Sequence, residues 1–167
     1  SIVRAAYAWD EDKRTAIIEL AAASGYALID KATSSILQRT TRGTGQLMLD
    51  ALARGCTTLL LGLGGSATSD GGVGLLRSIG VRFLDSAGCE VADAICDFRR
   101  IANIDTSAVS PLWRKCRIIL LCDVDNPFCG PRGAARTFAL QKGASPKEVD
   151  CIETALTHLA DLYQKQW

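Results

Sequence analysis

The 167-residue sequence predicts an α/β domain in which helices pack against a mixed sheet. Two observations predict it. First, Thr57 to Leu61 and Arg117 to Cys122 are short, continuous apolar runs of the kind found in buried parallel strands. Second, segments with helical periodicity separate these runs, and each run ends in a polar loop. The length fits one domain, so we expect residues 1–167 to form a single α/β domain.

The first elements predict an antiparallel hairpin followed by a helix. Ile2 to Asp10 and Thr15 to Leu20 are apolar, β-prone runs on either side of the charged turn EDKR. A polar, glycine-bearing segment then leads into Gln46 to Arg54, whose apolar spacing suits a helix that ends before Gly55. Thr57 to Leu61 is the next strand.

The second half predicts further helices and one more strand. Leu75 to Ile79 suits a short helix and Val81 to Asp85 a strand. Gly133 to Leu140 and Pro146 to Tyr163 suit helices, and Ser145 begins the second with the pattern of a capping box.

Charge and composition exclude several classes of partner. Nineteen Lys and Arg nearly balance eighteen Asp and Glu, so no general field attracts nucleic acid or an anionic membrane. The apolar runs are too short to cross a bilayer. Seven cysteines without CxxC spacing and a single histidine argue against a zinc site. We interpret the cysteines, notably Cys56 and Cys122, as small apolar residues and expect a reducing, cytoplasmic setting.

A glycine-rich stretch, GLGGSATSDGG, follows the predicted strand directly and is named here the glycine loop (Gly62 to Gly72). Glycines let a ligand approach the backbone, so the loop can aim several N–H groups at an anion. A following helix would add the positive end of its dipole. A tight loop without any ligand is the alternative. The candidate anion-binding residues are Gly64, Gly65, Ser66, Thr68, Gly71 and Gly72.

A dinucleotide site competes with this interpretation. Gly62 to Ala67 matches G-x-G-x-x-G/A, and Asp85 follows at about the distance of a ribose-binding acid. Against it, Gly71, Gly72 and Gly74 would fall inside the helix that such a fold needs. A NAD-binding oxidoreductase domain and a non-catalytic anion-binding module therefore stay open as alternatives. No G-x-x-x-x-G-K-[ST] pattern occurs, which excludes an ordinary P-loop enzyme.

A second polar loop follows the strand Arg117 to Cys122. Asp123 and Asp125 could hold Mg²⁺ together with phosphate oxygens, or one could accept the proton of a substrate hydroxyl. A capped turn before Pro127 is the alternative. In open α/β sheets ligands collect at the carboxyl ends of strands, so the two loops are expected to face one crevice. Three basic residues beyond the loop could neutralise an anion: Arg132, Arg136 and Lys142.

Several segments, in this order, resemble the type I glycerate kinases, bacterial enzymes that use ATP to phosphorylate D-glycerate. The resemblance covers about Thr15 to Tyr163, and GGSATSDGG and CDVDNP are its most specific motifs. The matching segments are TAIIELAAASG (Thr15 to Gly25), TTRGTGQL (Thr40 to Leu47), GLGGSATSDGGVGLLRSIGVRFLD (Gly62 to Asp85), CDVDNPFCGPRGAA (Cys122 to Ala135) and QKGASP (Gln141 to Pro146).

The resemblance implies one domain of a two-domain α/β kinase, with the active site in the cleft between the domains. It also implies a chain more than twice this length, so residues 1–167 are expected to be an internal fragment. The remainder of the chain would build the second domain, and the fragment alone is expected to be inactive. ATP and Mg²⁺ are the implied cofactors, D-glycerate the substrate and 2-phosphoglycerate the product. The oligomeric state is not indicated.

The resemblance and the two loops together assign candidate roles. Lys142 and Arg42 would balance the phosphate charge. Asp70, Asp123 and Asp125 would place Mg²⁺, through Asp123 and Asp125 above all, and orient or deprotonate the substrate hydroxyl. Which carboxylate is the base stays open, as does whether the glycine loop holds nucleotide phosphate or the glycerate carboxylate. The sequence departs from the family pattern at three places, with Gln46 for a glutamate, Arg42 for an aromatic residue and Ala139-Leu140 for Gly-Pro.

Overall fold

The computed structural model describes residues 2–30 and 34–167. Its described part contains a four-stranded sheet in the order β1-β2-β3-β6 and a two-stranded sheet, β4-β5. The strands are β1 (Ala8–Asp10), β2 (Thr15–Glu19), β3 (Thr58–Gly62), β4 (Arg82–Leu84), β5 (Asn103–Asp105) and β6 (Arg117–Leu121). The α-helices are α1 (Leu20–Ser24), α2 (Arg42–Ala53), α3 (Val73–Ser78), α4 (Ala134–Phe138) and α5 (Pro146–Gln166).

The larger sheet is mixed, as the sequence predicts. β1 and β2 form the expected antiparallel hairpin, with Trp9 opposite Ala16. β3 then lies parallel to β2 on one side and parallel to β6 on the other. The predicted α/β class and its mixed sheet are therefore confirmed.

One face of this sheet packs against α2 and forms the first apolar core. Alternate residues of β2 and β3 point into it and are almost fully buried, as the two-residue period of a strand requires. The core consists of Ala16, Ile18, Leu20, Met48, Ala51, Leu52, Cys56, Leu59, Leu61 and Cys116.

The second apolar core lies between α5 and the smaller sheet. Phe83 of β4 and Ile152 of α5 are completely buried there, with Phe98 and Ile101 beside them. The capping box predicted at the start of α5 is confirmed: the backbone N–H of Glu148 donates to the Ser145 hydroxyl, and the Ser145 N–H donates back to the Glu148 carboxylate at 2.8 Å.

Two interpretations of the cysteines are corrected. Cys96 and Cys151 form a disulfide, which joins residues 55 positions apart and ties α5 to the segment before β5. No local pattern announces such a pairing. Cys122 is exposed, whereas Cys56 is buried as a free thiol, as expected.

The prediction that Arg117 to Cys122 is a buried strand is wrong. β6 lies at the edge of the sheet, and its side chains are largely exposed, including Leu120 at 59% and Leu121 at 47%. The apolar run predicts a strand, but it does not predict whether other elements cover that strand. Leu120 projects on the same face as Leu61, beyond the reach of α2.

The chain between residues 34 and 167, like residues 2–30, contains no helix that is both long and apolar enough to cross a membrane.

Candidate anion site at the ends of two parallel strands

The two loops meet at one edge of the sheet, as the sequence predicts. Gly62, the last residue of β3, pairs with Leu121, the last residue of β6. The backbone N–H of Leu63 then donates to the Leu121 carbonyl at 3.1 Å. The glycine loop and the segment containing Asp123 therefore leave neighbouring strands side by side.

The first half of the glycine loop presents open backbone amides. Two backbone hydrogen bonds hold the loop against residues 24–26: the Tyr26 N–H donates to the Gly65 carbonyl, and the Ala67 N–H donates to the Ser24 carbonyl. Four amides of the loop have no hydrogen-bond acceptor among the residues described. They belong to Gly64, Gly65, Ser66 and Thr68. Gly64 and Gly65 are also exposed, so an anion can reach them.

The second half of the loop is closed to ligands, which corrects the predicted roles of Gly72 and of the following helix. The N–H of Gly72 donates to Asp70 at 3.2 Å and that of Gly74 at 3.1 Å. The Leu75 N–H donates to the Thr41 hydroxyl at 2.9 Å. The first amides of α3 are thus consumed inside the protein, so the start of this six-residue helix has no donors left for an anion.

Asp70 is a buried structural carboxylate. It is only 2% exposed, and besides the amides of Gly72 and Gly74 it accepts from the backbone N–H and the hydroxyl of Thr41, at 2.8 and 2.9 Å. The two bonds from Thr41 fix the glycine loop to the start of α2. A side chain at Gly74 would lie 1.9 Å from the Thr40 hydroxyl oxygen, so this junction requires glycine.

Gly71 contacts α5 rather than a ligand. Its φ of +59° favours glycine, and a Cβ atom there would lie 3.0 Å from both Leu156 and Phe128. Its carbonyl accepts a hydrogen bond from the Tyr163 hydroxyl at 3.2 Å. Burial raises the pKa of Tyr163, so the hydroxyl stays protonated and available as a donor.

Lys142 lies against the open half of the loop. Its ammonium donates to the Ser66 hydroxyl at 2.8 Å and to the Thr68 carbonyl at 2.6 Å. Burial lowers the pKa of Lys142 to about 8; Asp70 acts in the opposite direction, and Arg39 adds a smaller lowering effect. The structure therefore brings together three of the predicted site residues.

Arg39 reaches the same place and was not found from the sequence. One guanidinium nitrogen donates to the Lys142 carbonyl at 2.7 Å, and another donates to the Ser34 carbonyl at 2.7 Å. No motif surrounds Arg39, and its contacts connect segments more than a hundred residues apart in the chain. Only its position next to the polar segment before α2 could have drawn attention to it.

Asp123 and Asp125 are exposed, and neither carboxylate has a hydrogen-bond or ion-pair partner within residues 2–30 and 34–167. The capped-turn alternative is therefore wrong for both. Asn126 braces the loop instead, since its amide donates to the Arg132 carbonyl at 2.9 Å and to the Thr137 hydroxyl at 3.2 Å.

These free oxygens fit Mg²⁺, which takes one or two protein carboxylates and completes its shell with phosphate and water. The described residues contain no group of three or more acidic, histidine or cysteine side chains that could hold a metal alone. Asp123 and Asp125 therefore suit a metal that arrives with its phosphate.

A carboxylate missed by the sequence supports this second loop. Glu153 of α5 accepts from the Gly130 N–H at 2.5 Å. Its other oxygen, Oε2, is buried and has no partner in the described part of the chain. A lone glutamate on a helix carries no pattern that predicts such a contact.

The other predicted basic residues are paired or lie on the surface. Arg42 forms an ion pair with Asp93 at 3.0 Å, and Arg136 one with Asp150 at 2.6 Å. Arg132 is exposed and contributes its carbonyl to the Asn126 bond. The positive charge of Arg42 is thus partly compensated by Asp93.

The dinucleotide alternative is not supported. Asp85 accepts from the backbone N–H groups of Ala87 and Cys89, both at 3.0 Å, so it caps the turn after β4. β4 pairs with β5 in a separate antiparallel sheet, whereas β6 is the strand parallel to β3. The acid of a dinucleotide fold would end a strand parallel to the first one.

A cavity of about 800 Å³ adjoins the loop and offers room for a small organic ligand. Its wall includes Thr68 of the loop, Arg39, and the exposed side chains of Arg42 and Gln46 at the start of α2. Asp30 and Asp93 also line the cavity, so its wall carries both signs of charge.

Comparisons with known proteins agree on one family. The profile of the glycerate kinase family matches residues 1–167. A glycerate kinase of Bacillus subtilis is 42% identical over 163 residues, which cover 98% of this chain and 43% of that protein. A glycerate 2-kinase of Escherichia coli is 39% identical over the same length, with the same coverage.

A solved structure agrees in fold as well. A crystal structure described as glycerate kinase 2 of Salmonella typhimurium LT2 superposes with a TM-score of 0.89 at 40% identity. The match covers 93% of this chain and 42% of that one.

Proposed function

The chain belongs to the glycerate kinase family, and from that premise we propose that the full-length protein transfers the terminal phosphoryl group of ATP to D-glycerate. The chain spans about 43% of the length of the curated relatives it matches. The proposed site therefore lies in a cleft between this domain and the remainder, and the 167-residue chain alone is inactive. A cytoplasmic location, where ATP is available, is part of the same proposal.

One observation carries the proposal. At a single edge of the sheet, one loop carries amides without an acceptor among the described residues and holds the Lys142 ammonium against it, while unpaired Asp123 and Asp125 lie on the next loop. Phosphoryl transfer needs donors for anionic oxygens, carboxylates for Mg²⁺ and an acceptor for the hydroxyl proton. The edge supplies all three.

The two loops have different roles in this proposal. The amides of Gly64, Gly65 and Ser66 donate to an anionic group, and Lys142 compensates its charge. Asp123 and Asp125 bind Mg²⁺, which when bound neutralises charge on the phosphate oxygens, and one of the two accepts the proton of the glycerate hydroxyl.

The remaining predicted residues act more indirectly. Asp70 and Gly72 shape the loop, and Gly71 anchors it to α5. Arg42 lines the cavity from the start of α2, where it is paired with Asp93.

Phosphorylation at O2 is the expected outcome, with 2-phosphoglycerate as the product. Its support is the similarity to the E. coli protein named glycerate 2-kinase. Phosphorus NMR of the product separates the two positions, because a phosphate on the CH carbon gives a doublet and one on the CH₂ carbon a triplet.

ADP release by the full-length protein, followed with Mg²⁺ and ATP in the presence and absence of D-glycerate, tests the function. We expect release only with glycerate, and its loss in Asp123→Asn and Asp125→Asn. Asp12→Asn, in the exposed hairpin turn, is the matched control and should remain active. Release that does not depend on glycerate would refute the kinase assignment, and binding of MgATP without release would favour an anion-binding module.

A further inference from the structure

We propose that Arg39 is the positioning residue for Lys142, holding the backbone of that residue so that its ammonium stays on the glycine loop beside a second positive charge. The inference rests on the proposed function, which supplies the anion. It adds a residue to the site that neither the motifs nor the family resemblance pointed to.

The geometry of Arg39 is that of a clamp between segments. Its guanidinium donates to the Lys142 carbonyl at 2.7 Å and, more weakly, to the Ala67 carbonyl of the glycine loop at 3.5 Å. On its other side it donates to the carbonyl and the hydroxyl of Ser34, at 2.7 and 3.3 Å. A planar guanidinium with several fixed donors can make these bonds together, whereas the single ammonium of lysine cannot.

This clamp determines where the Lys142 ammonium lies. With the backbone of Lys142 held, its side chain extends over the loop to Ser66 and Thr68, next to the open amides. An incoming anion would then meet fixed donors and a fixed cation, so little ordering is left to be done when it binds.

The charged groups around Lys142 determine how Arg39 affects the pKa of this lysine. Asp70 faces Lys142 from the glycine loop and raises its pKa, whereas burial and Arg39 lower it. On the far side of Arg39 lies Glu148 of α5, whose pKa is lowered mainly by Ser145 and to a smaller extent by Arg39. Loss of the Arg39 guanidinium would remove a positive neighbour and admit water, and both changes raise the pKa of Lys142.

The test measures that pKa directly in the full-length protein. Lysines labelled with ¹³C at Cε are titrated by NMR, and Lys142→Arg identifies the signal of Lys142. We expect a midpoint near 8 in the wild type and a rise of at least about half a unit in Arg39→Gln. Arg136→Gln, which removes an exposed arginine paired with Asp150, should leave the midpoint unchanged.

An unchanged midpoint in folded Arg39→Gln would overturn the proposal. If that variant does not fold, Arg39→Lys replaces it: the charge remains, but lysine cannot bridge Ser34 and Lys142, so Lys142 becomes more solvated and its midpoint still rises. An unchanged midpoint in folded Arg39→Lys would overturn the proposal as well.

Activity gives a second, separate measurement. In Arg39→Gln the alkaline loss of glycerate-dependent ADP release should move to higher pH, together with a fall in kcat/KM of roughly tenfold or more. If the wild type releases no ADP with glycerate, the proposed function fails, while the NMR titration still decides the role of Arg39.

Discussion

Two aspartates at the site are placed in opposite environments. Asp70 is buried with four internal hydrogen bonds, whereas Asp123 is exposed without a partner among the described residues. We expect Asp70→Asn to destabilise the full-length protein by about 3 kcal/mol, because buried donors then face an amide that satisfies them poorly. Its thermal unfolding midpoint should drop by several degrees.

Asp123→Asn is the matched comparison for this prediction. It should leave the unfolding midpoint unchanged and abolish glycerate-dependent ADP release. The assignment of the two carboxylates would be wrong if Asp123→Asn lowered the midpoint as much as Asp70→Asn.

Lys142 predicts a dependence on pH. Its pKa is lowered from 10.5 to about 8, so an ammonium that must compensate an anion is lost as the pH rises through 8. Glycerate-dependent ADP release should therefore fall across this range. A rise instead would indicate that neutral Lys142 acts as a base.

The same shift has a consequence for stability. Between about pH 8 and 10.5 the unfolded chain binds more protons at this lysine than the folded chain does, so the free energy of unfolding rises with pH on its account. Urea unfolding of Lys142→Met across this window should show less of that rise than the wild type.

Residues of the site were predictable where they follow a strand in the sequence. Asp123 and Asp125 come directly after an apolar run, and that order alone places them at the sheet edge. Arg39 and Glu153 were missed because their contacts bring together segments distant in the chain. The closed half of the glycine loop was missed because the partner of Asp70, Thr41, lies 29 residues away.

At the scale of elements, the close packing of α2 against α3 depends on glycine. A Cβ atom at Gly74 would overlap Thr40, whereas one at Gly64 would have no atom within 4 Å. Gly74→Ala should therefore lower the stability of the full-length protein by about 2 kcal/mol or more. Gly64→Ala should leave the unfolding midpoint unchanged and raise the KM for an anionic substrate. Equal midpoints for both variants would contradict this packing argument.

The start of α5 and the start of α2 show which element boundaries a sequence can predict. Ser145 and Glu148 lie three residues apart, so the capping box of α5 is a local pattern. α2 begins at Arg42, four residues before the predicted Gln46, since Thr41 is fixed by a carboxylate from the glycine loop. A boundary set by tertiary contacts leaves no local signal.

At the scale of the whole molecule, the parallel part of the sheet is covered by α2 on one face only. On the other face Ile17 is 46% exposed and lies in register with Leu60 and Ile119. Parallel strands are ordinarily covered on both faces. The remainder of the full-length chain is the cover that we propose.

This proposal predicts that an exposed residue behaves as a buried one. Ile17 is 46% exposed here, yet Ile17→Lys should destabilise the full-length protein by about 2 kcal/mol. The same substitution in the isolated 167-residue chain should leave the unfolding midpoint unchanged. Equal effects in the two proteins would show that the remainder of the chain does not cover this face of the sheet.

The position of β6 also bears on how the isolated domain must be handled. Its outer rim carries backbone groups with no neighbouring strand in the described part of the chain, and its side chains are largely apolar. Such a rim is a template for intermolecular strand addition. Purified by itself, the domain is expected to self-associate with rising concentration. Leu120→Pro should reduce this association, because the backbone N–H groups of residues 118 and 120 point away from β3.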